Sequence, residues 1–272
     1  MTTNAQTYDL SFLNKALLPA VIDELRYYAS IASTNTEASR LIEQGQIRGN
    51  TLLLAEEQTA GRGRLRRTWL SDPHDSLTFS LAIHGDHLSV LDNPQMLTLV
   101  AAVAVTDAIK ELAGIQAAIK WPNDILLNGK KACGILVEAV WQPPALQGAI
   151  VGIGINVGAK AVPTGTNLRY PPTSLEDACG FAVQRESLLV SILQSFFQWL
   201  PHMNEAAFRS HYQNHLAFIG EWVNIINSED QSILSGQCMG ISQQGSLMLQ
   251  QTDGTMIHCT AGEISLRQNN HK

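Results

Sequence analysis

An arginine-rich loop at residues 56–69 is the segment of the chain best suited to bind a charged group. It reads EEQTAGRGRLRRTW, and four arginines fall within six positions: Arg62, Arg64, Arg66 and Arg67. The two glycines let the main chain approach an anion closely, and arginine offers a planar cationic fork that fits carboxylate or phosphate. Because the formal net charge of the chain is -6, the loop is not part of a general basic coat, and we predict a local anion site.

A second polar group lies in the segment KWPND at 120–124. The proline breaks a β-prone run, so the lysine, amide and carboxylate of this segment are expected at the mouth of a sheet, where binding groups are commonly exposed. Lys131 follows a tight turn and precedes an apolar strand, which would direct its cation toward the sheet. A solvated hairpin shoulder for Lys130 and Lys131 and a surface ion pair between Lys120 and Asp124 remain open alternatives.

Two further motifs complete the candidate site. The segment GIGIN at 152–156 is an apolar strand with two glycines, which often mark the close approach of a ligand or another backbone. The segment STN at 33–35 precedes a helical pattern, so Ser33 and Thr34 are suited to capping a helix as well as to binding. Neither a dinucleotide fingerprint nor a phosphate-binding P-loop occurs, so a nucleotide would be bound without either cradle.

The elements that position these motifs follow from hydrophobic periodicity. A capping box at Thr34 and Glu37 predicts a helix that ends at Gly45. Strands at 51–55 and 77–83 flank the arginine loop, which therefore lies between two sheet strands. Trp69, at the end of this loop, is expected in the core. Further expected elements are helices at 94–112, 186–200 and 205–218, and strands at 117–121, 125–127, 132–140 and 148–157, with Asn128-Gly129 as a hairpin turn.

The pattern of residue types in the sequence changes after Gly220. Short β-prone runs separated by Ser, Asp, Gly and Gln predict a small barrel or sandwich of about five strands. A length of 272 residues with 45% hydrophobic content suits a large domain plus a small one. We predict domains at 1–219 and 220–272.

Several classes of protein are disfavoured by what the sequence lacks. The N-terminal segment has no basic region followed by an apolar run, and the apolar stretch 96–104 is too short to span a bilayer. A cytoplasmic location without membrane association is therefore expected. The four cysteines form no C-x-x-C pair, and we expect neither an H-E-x-x-H motif nor a pair at helical spacing among the scattered histidines, so neither disulfides nor a dedicated metal site are predicted.

The order of the motifs closely resembles that of the biotin protein ligases. The series consists of STN at 33–35, ExQxAGRGR at 57–64 with Trp69, KWPND at 120–124 with KxxGILVE at 131–138, and GIGIN at 152–156. The resemblance covers nearly the whole chain, since the C-terminal β-rich segment with GEISL at 262–266 is also similar to that family.

The resemblance implies an α+β fold and a two-step reaction. The fold is a mixed β-sheet flanked by helices, similar to the catalytic core of class II aminoacyl-tRNA synthetases, followed by a small Src-homology-3-like β-barrel. In the reaction, biotin and ATP, which Mg²⁺ accompanies, give biotinyl-5'-AMP and pyrophosphate. A lysine of the biotin carboxyl carrier domain of acetyl-CoA carboxylase or another biotin-dependent carboxylase then attacks the mixed anhydride.

The resemblance also implies roles for individual residues. Residues expected to bind biotin are Ser33, Thr34, Asn35, Gln58, Arg62, Gly63, Arg64 and Lys131. Of these, Arg64 and Lys131 are expected to act in catalysis, near the reacting carboxylate and phosphate. Residues expected on the ATP side are Arg67, Lys120, Asn123, Asp124 and Asn156.

The chain departs from the family pattern in two respects. Arg66 stands where the loop usually has glycine, which reduces backbone freedom there. No helix-turn-helix unit fits before the first motif, so the DNA-binding domain of some family members is not expected, nor is transcriptional repression. The sequence leaves a monomer and a homodimer open.

Two other functions remain as alternatives to biotin ligation. A lipoate or octanoate ligase or transferase is related by fold and also modifies a carrier lysine. A nucleic-acid-binding module would use the arginine loop, but the broad basic face that such a protein needs is absent from the composition.

Overall fold

A central mixed sheet carries most of the polar motifs. The computed structural model describes residues 7–64, 67–85, 94–143, 145–162, 171–226, 232–260 and 265–268, so that Arg66 lies outside the described residues. The first seven strands are β1 (Glu24–Tyr28), β2 (Thr51–Ala55), β3 (Ser76–His84), β4 (Ala118–Lys120), β5 (Asp124–Leu127), β6 (Lys130–Gln142) and β7 (Ala145–Asn156). They form one sheet in the order β1-β2-β3-β7-β6-β5-β4, in which only β1 and β2 pair in parallel.

Helices cover both faces of this sheet. They are α1 (Leu10–Leu17), α2 (Thr34–Glu43), α3 (Met96–Ala113), α4 (Leu175–Cys179), α5 (Arg185–Trp199) and α6 (Ala206–His215). Side chains alternate along a strand, so Leu52 and Leu54 join the core cluster of α3 and α5, whereas Leu53 joins the smaller cluster under α2. The sheet therefore has one face with a large apolar core and one face that α2 covers only in part.

A second sheet follows α6. Its strands are β8 (Trp222–Ile226), β9 (Ser232–Ile241), β10 (Leu247–Gln250), β11 (Met256–Cys259) and β12 (Ser265–Gln268), and they pair antiparallel in the order β11-β10-β9-β8-β12. This agrees with the expected α+β class and with five short strands after Gly220. The domain limits 1–219 and 220–272 stay a prediction.

The two sheets share one continuous apolar core. Val223 and Leu247 of the second sheet belong to the same buried cluster as α3 and α5. The Trp121 indole donates to the carbonyl of Gly245 at 3.1 Å, and this glycine also packs against Met96 and Leu99 of α3. The turn between β9 and β10 is thereby fixed to the beginning of α3.

Most expected elements are present, with shifted limits. The helix at 34–43 is capped by Ser33 rather than Thr34, because the Ser33 hydroxyl accepts from the Thr36 amide. Asn128 and Gly129 have φ values of 49° and 74°, as a tight hairpin turn requires. Among the described residues, no helix is both long enough and apolar enough to cross a membrane.

Candidate active site

Three glycines form the floor of the site on the α2 face of the sheet. Gly152 and Gly154 lie two residues apart in β7, so both point to this face, and Gly134 of β6 is paired with Gly154. A Cβ atom at Gly152 would collide with the Asn35 amide, and one at Gly154 would collide with the Trp69 indole. The glycines are therefore required because polar and aromatic side chains lie directly on the sheet.

The beginning of α2 supplies a hydrogen-bonded wall on this floor. The Thr34 amide and hydroxyl both donate to Gln58 Oε1, at 2.8 and 3.1 Å. Ser80 Oγ of β3 lies 2.6 Å from both Thr34 Oγ1 and Asn35 Oδ1, so its single hydroxyl proton serves one of these two oxygens at a time. Ser33, Thr34 and Asn35 are buried, so the structure brings these residues and Gln58 together. Ser80 is a member of this group that the sequence did not single out.

The arginine loop folds back on itself beside this wall. The Gly63 amide donates to the Arg67 carbonyl at 2.8 Å, and the Trp69 amide donates to the Gly61 carbonyl at 2.9 Å. Arg62 extends toward the sheet, where its Nη2 lies 2.6 Å from Glu138 Oε1. The described part of the loop therefore folds back on itself, and Arg62, although exposed, is paired with a carboxylate of the sheet.

A buried ion pair holds both ends of the loop. Glu56 is the first residue of the loop, and its Oε1 accepts from Arg185 Nη1 of α5 at 2.7 Å and from the amide of His74, which follows the loop, at 2.8 Å. Arg185 also lies over the Tyr8 ring, 4.1 Å from its centroid. These four residues were not identified from the sequence, because they are distant from one another along the chain.

Arg64 reaches the second polar group. Its Nη1 donates to Asn123 Oδ1 at 3.0 Å, while Asn123 Nδ2 donates to the carbonyl of Ile135 in β6. Burial lowers the pKa of Arg64, against the opposing field of Asp124. Because its charge is held in a poorly solvated place, the guanidinium would be stabilised by an anionic ligand.

Asp124 lies between two lysines. Its Oδ1 is 2.6 Å from Lys131 Nζ and its Oδ2 is 3.6 Å from Lys120 Nζ. Burial would raise the pKa of Asp124, but Lys131, Lys120 and Arg64 together outweigh burial and hold it below its ordinary value. Lys120 is buried, so the surface ion pair left open above is wrong.

The side chains of Lys131 and its neighbour Lys130 point in different directions. Lys130 is exposed at the hairpin shoulder, whereas the Lys131 ammonium faces Asp124 and lies 5.9 Å from the centroid of the Trp69 ring. The alternative of a solvated shoulder is therefore correct for Lys130 and wrong for Lys131.

Trp69 contradicts its expected place in the core. The indole is only partly buried and packs against Gly154 and Gly134, next to Lys131. Its Nε1 is shielded from solvent and has no hydrogen-bond partner among the described residues. The physical reason is that Gly134 and Gly154 have no side chains, so they leave a flat surface on the sheet that the aromatic ring covers.

Asn156 closes the far end of the floor at the last residue of β7. Its Nδ2 donates to the carbonyl of Thr173 at 3.0 Å. Its Oδ1 is buried and lacks a partner within the part of the chain that the structure describes. A buried unpaired acceptor is costly, so this atom is a candidate contact for a cation or a donor on a ligand.

The site thus combines two chemically different parts. Hydroxyl and amide groups at 33–35, 58 and 80 can recognise a neutral polar ring, and three cations converge around Asp124, where an anionic group would be stabilised. Arg67 differs from the others, since its side chain is exposed at the rim. Such an arrangement suits a ligand with a polar head and a carboxylate or phosphate tail.

Comparisons with known proteins place this site in a family. Residues 27–156 match the Biotin/lipoate A/B protein ligase family, and residues 218–267 match the Biotin protein ligase C terminal domain. A bifunctional ligase/repressor of Bacillus subtilis is 36% identical over 233 residues, which cover 85% of this chain and 70% of that protein. The chain belongs to the biotin/lipoate A/B protein ligase family.

Two further similar proteins are named for biotin. A biotin–[acetyl-CoA-carboxylase] ligase of Paracoccus denitrificans is 35% identical over 235 residues, covering 83% of this chain and 93% of that protein. The structure of a biotin protein ligase from Aquifex aeolicus in complex with biotin and ATP has a TM-score of 0.77 at 29% identity, covering 91% of this chain and 100% of that one. The resemblance inferred from the motifs is confirmed.

Proposed function

We propose that this protein activates biotin with ATP and transfers it to a lysine of a carrier domain. Biotin carboxylate attacks the α-phosphorus of ATP, pyrophosphate leaves, and biotinyl-5'-AMP remains bound. The amine of the acceptor lysine then attacks the acyl carbon, so that an amide forms and AMP leaves. The observation that carries the proposal is the junction of a polar wall and a cationic cluster on one glycine floor.

The polar wall fits the ring end of biotin. The ureido group has one carbonyl acceptor and two N–H donors, and Ser33, Thr34, Asn35 and Gln58 offer both types of partner. These side chains are already held by hydrogen bonds to one another and to Ser80. A preorganised wall of this kind lowers the entropy lost when a ligand binds.

The cationic cluster fits the reacting groups. A carboxylate and a triphosphate repel each other, so adenylation requires fixed positive charge at the point where they meet. Arg64 and Lys131 lie on either side of Asp124 in this cluster, and Arg62 and Gly63 belong to the loop beside it. We assign Arg64 and Lys131 to the reacting carboxylate and α-phosphate, and the loop to shielding the anhydride from water.

The ATP side is assigned to Arg67, Lys120, Asn123, Asp124 and Asn156. The buried oxygen of Asn156 without a partner is of the type that Mg²⁺ prefers. Mg²⁺ bound with the phosphates would neutralise part of their charge. Asn123 holds Arg64 and the β6 backbone at once, so it would fix the guanidinium relative to the nucleotide.

The acceptor and the location belong to the same proposal. The name of the Paracoccus relative refers to acetyl-CoA carboxylase, and we propose the biotin carboxyl carrier domain of such a carboxylase as the acceptor. The acceptor lysine supplies the nucleophile of the second step, which is consistent with the lack of a Ser-His-Asp or Cys-His signature in the sequence. Reaction with such a carrier would take place in the cytoplasm.

Pyrophosphate release tests the first step and separates biotin from lipoate. The protein is incubated with Mg-ATP and either biotin or lipoate, and pyrophosphate is measured. Addition of a carrier domain then tests the second step through a mass gain on one lysine. Release with biotin alone supports the proposal, whereas release only with lipoate would establish the alternative ligase. The second matching domain model, which is specific to biotin protein ligases, favours biotin.

A further inference from the structure

A cluster of potential metal ligands lies away from the proposed active site, between α3 and α6. One ligand atom each from Asp107, His211 and His215 lies within 4.8 Å of the other two. His211 and His215 are four residues apart, so they lie on the same side of α6, and Asp107 faces them from α3. His211 and His215 are thus a histidine pair at helical spacing, so the expectation that the sequence has no such pair is wrong.

The surroundings hold each of these side chains in one orientation. Asp107 Oδ2 accepts from the Trp199 indole at 2.9 Å and from Ser195 at 3.1 Å, which leaves Oδ1 to face His211 Nε2 at 2.8 Å. Trp199 also stacks on the His211 ring, with 4.9 Å between centroids. Both the carboxylate and the first imidazole are therefore positioned by α5.

The second imidazole is positioned by the backbone. His215 Nδ1 lies 3.3 Å from the Ala117 carbonyl, so a neutral ring carries its proton there and has its lone pair on Nε2. Metal-ligating histidines commonly donate their other ring nitrogen to a carbonyl or carboxylate in this way.

We propose that Asp107, His211 and His215 form a binding site for one zinc-class divalent transition-metal ion. Two imidazoles and one carboxylate suit Zn²⁺, whereas Mg²⁺ and Ca²⁺ prefer ligands that are all oxygen. The ion takes the place of the proton between His211 Nε2 and Asp107 Oδ1; this proton moves to Nδ1 if the ring is neutral and is released to solvent if the ring is charged, so that the bound ring carries one proton, on Nδ1. Because the side chains of His211 and Asp107 are 32% and 26% exposed, water can complete the coordination.

Such an ion would strengthen the connection between the central sheet and the second sheet. α6 contacts the second sheet through Gln213, whose Oε1 accepts from the Ile241 amide at 3.4 Å. Its end is joined to the central sheet, because the Ala217 amide donates to the Ile119 carbonyl at 2.9 Å. A bond from α3 to α6 would therefore stabilise the arrangement of both sheets without entering the glycine-floored site.

Zinc titration of untagged, chelator-treated protein tests the site. Zn²⁺ is added in competition with a chromophoric chelator, and the thermal midpoint is followed with and without the ion. We expect one Zn²⁺ per chain, a raised midpoint, and affinity at least about tenfold weaker in His211→Gln and Asp107→Asn. His211→Gln retains a donor for Asp107, so the helix contact survives while the imidazole ligand is lost.

Two control variants separate this site from other zinc ligands. His202→Gln removes an exposed histidine that pairs with Glu205, and Cys179→Ser removes a partly exposed free thiol. Both are expected to bind Zn²⁺ as the unmodified protein does. Equal zinc affinity in His211→Gln, Asp107→Asn and unmodified protein would overturn the proposal, and so would zinc affinity no greater than that for Mg²⁺.

Discussion

Glu138 binds Arg62 of the arginine loop and Asn35 of α2 with its two carboxylate oxygens. Oε1 lies 2.6 Å from Arg62 Nη2, and Oε2 lies 2.8 Å from Asn35 Nδ2. Glu138 belongs to β6 and shares the face of Gly134, so it stands on the same floor. One carboxylate of the sheet therefore couples the loop to the polar wall.

Glu138→Gln is expected to weaken biotin binding more than it weakens the fold. Loss of the charge loosens Arg62 and removes a strong acceptor from Asn35. The pair is partly exposed, so the effect is on the order of 1 kcal/mol, or about a fivefold rise in the KM for biotin. Glu37→Gln, which breaks an exposed ion pair with Arg40 on the outer part of α2, is the matched control. An unchanged KM for biotin in Glu138→Gln would show that the contacts of Glu138 with Arg62 and Asn35 do not contribute to biotin binding.

Lys131 and Lys130 provide a test of the cationic cluster within one hairpin. Lys131→Ala and Arg64→Ala are each expected to slow biotinyl-adenylate formation at least about tenfold, equivalent to about 1.4 kcal/mol in the barrier. Lys130→Ala should leave the rate unchanged, because its side chain faces solvent. Single-turnover adenylation measures the step directly. Near-normal rates in both Lys131→Ala and Arg64→Ala would contradict the assigned roles.

Gly154 and Trp69 should show strong energetic coupling. Gly154→Ala places a methyl group against the indole, so it is expected to lower both the thermal midpoint and the adenylation rate. In the Trp69→Ala background the indole atoms nearest to this methyl group are gone, so the cost of the methyl group should be much smaller. A double-mutant cycle of unfolding free energies gives the coupling, for which we expect about 1 kcal/mol or more. Additive effects would show that the ring does not depend on the glycine.

The sequence alone predicted those features that are determined by residues close together along the chain. The turn at Asn128-Gly129, the strands beside the loop and the motif residues were located because glycine, proline and alternating apolar residues determine local structure. β1 was not located, since all five of its residues are half-buried and show no alternation. α1 and α4 are short helices of 8 and 5 residues, too short for a firm periodic signal.

Contacts between distant segments could not be predicted from one sequence. Glu138 follows Arg62 by 76 positions, and Arg185 follows Glu56 by 129. Nothing in the local pattern around a strand glutamate distinguishes a loop anchor from a solvated carboxylate. Trp69 was misplaced for the same reason, because the two glycines that receive it lie on other strands.

The charge of Asp124 should make stability depend on pH in the acid range. Its folded pKa is held below the ordinary value, so its contribution is present above the unfolded pKa of about 3.9 and is lost as pH falls through the lower folded pKa. Asp124→Asn leaves Lys120 and Lys131 without this carboxylate. We therefore expect the variant to be less stable than the unmodified protein at pH 7 and pH 5.

Urea unfolding at a series of pH values measures this dependence. The stability difference between Asp124→Asn and unmodified protein should be constant from pH 7 to pH 5 and shrink below about pH 4, where the carboxyl group of the unfolded chain takes up a proton while that of the folded protein stays charged. Asp177→Asn, an exposed carboxylate of α4, should show no comparable change. A difference that grows as pH falls would mean that the two lysines do not hold the Asp124 carboxylate in its charged form.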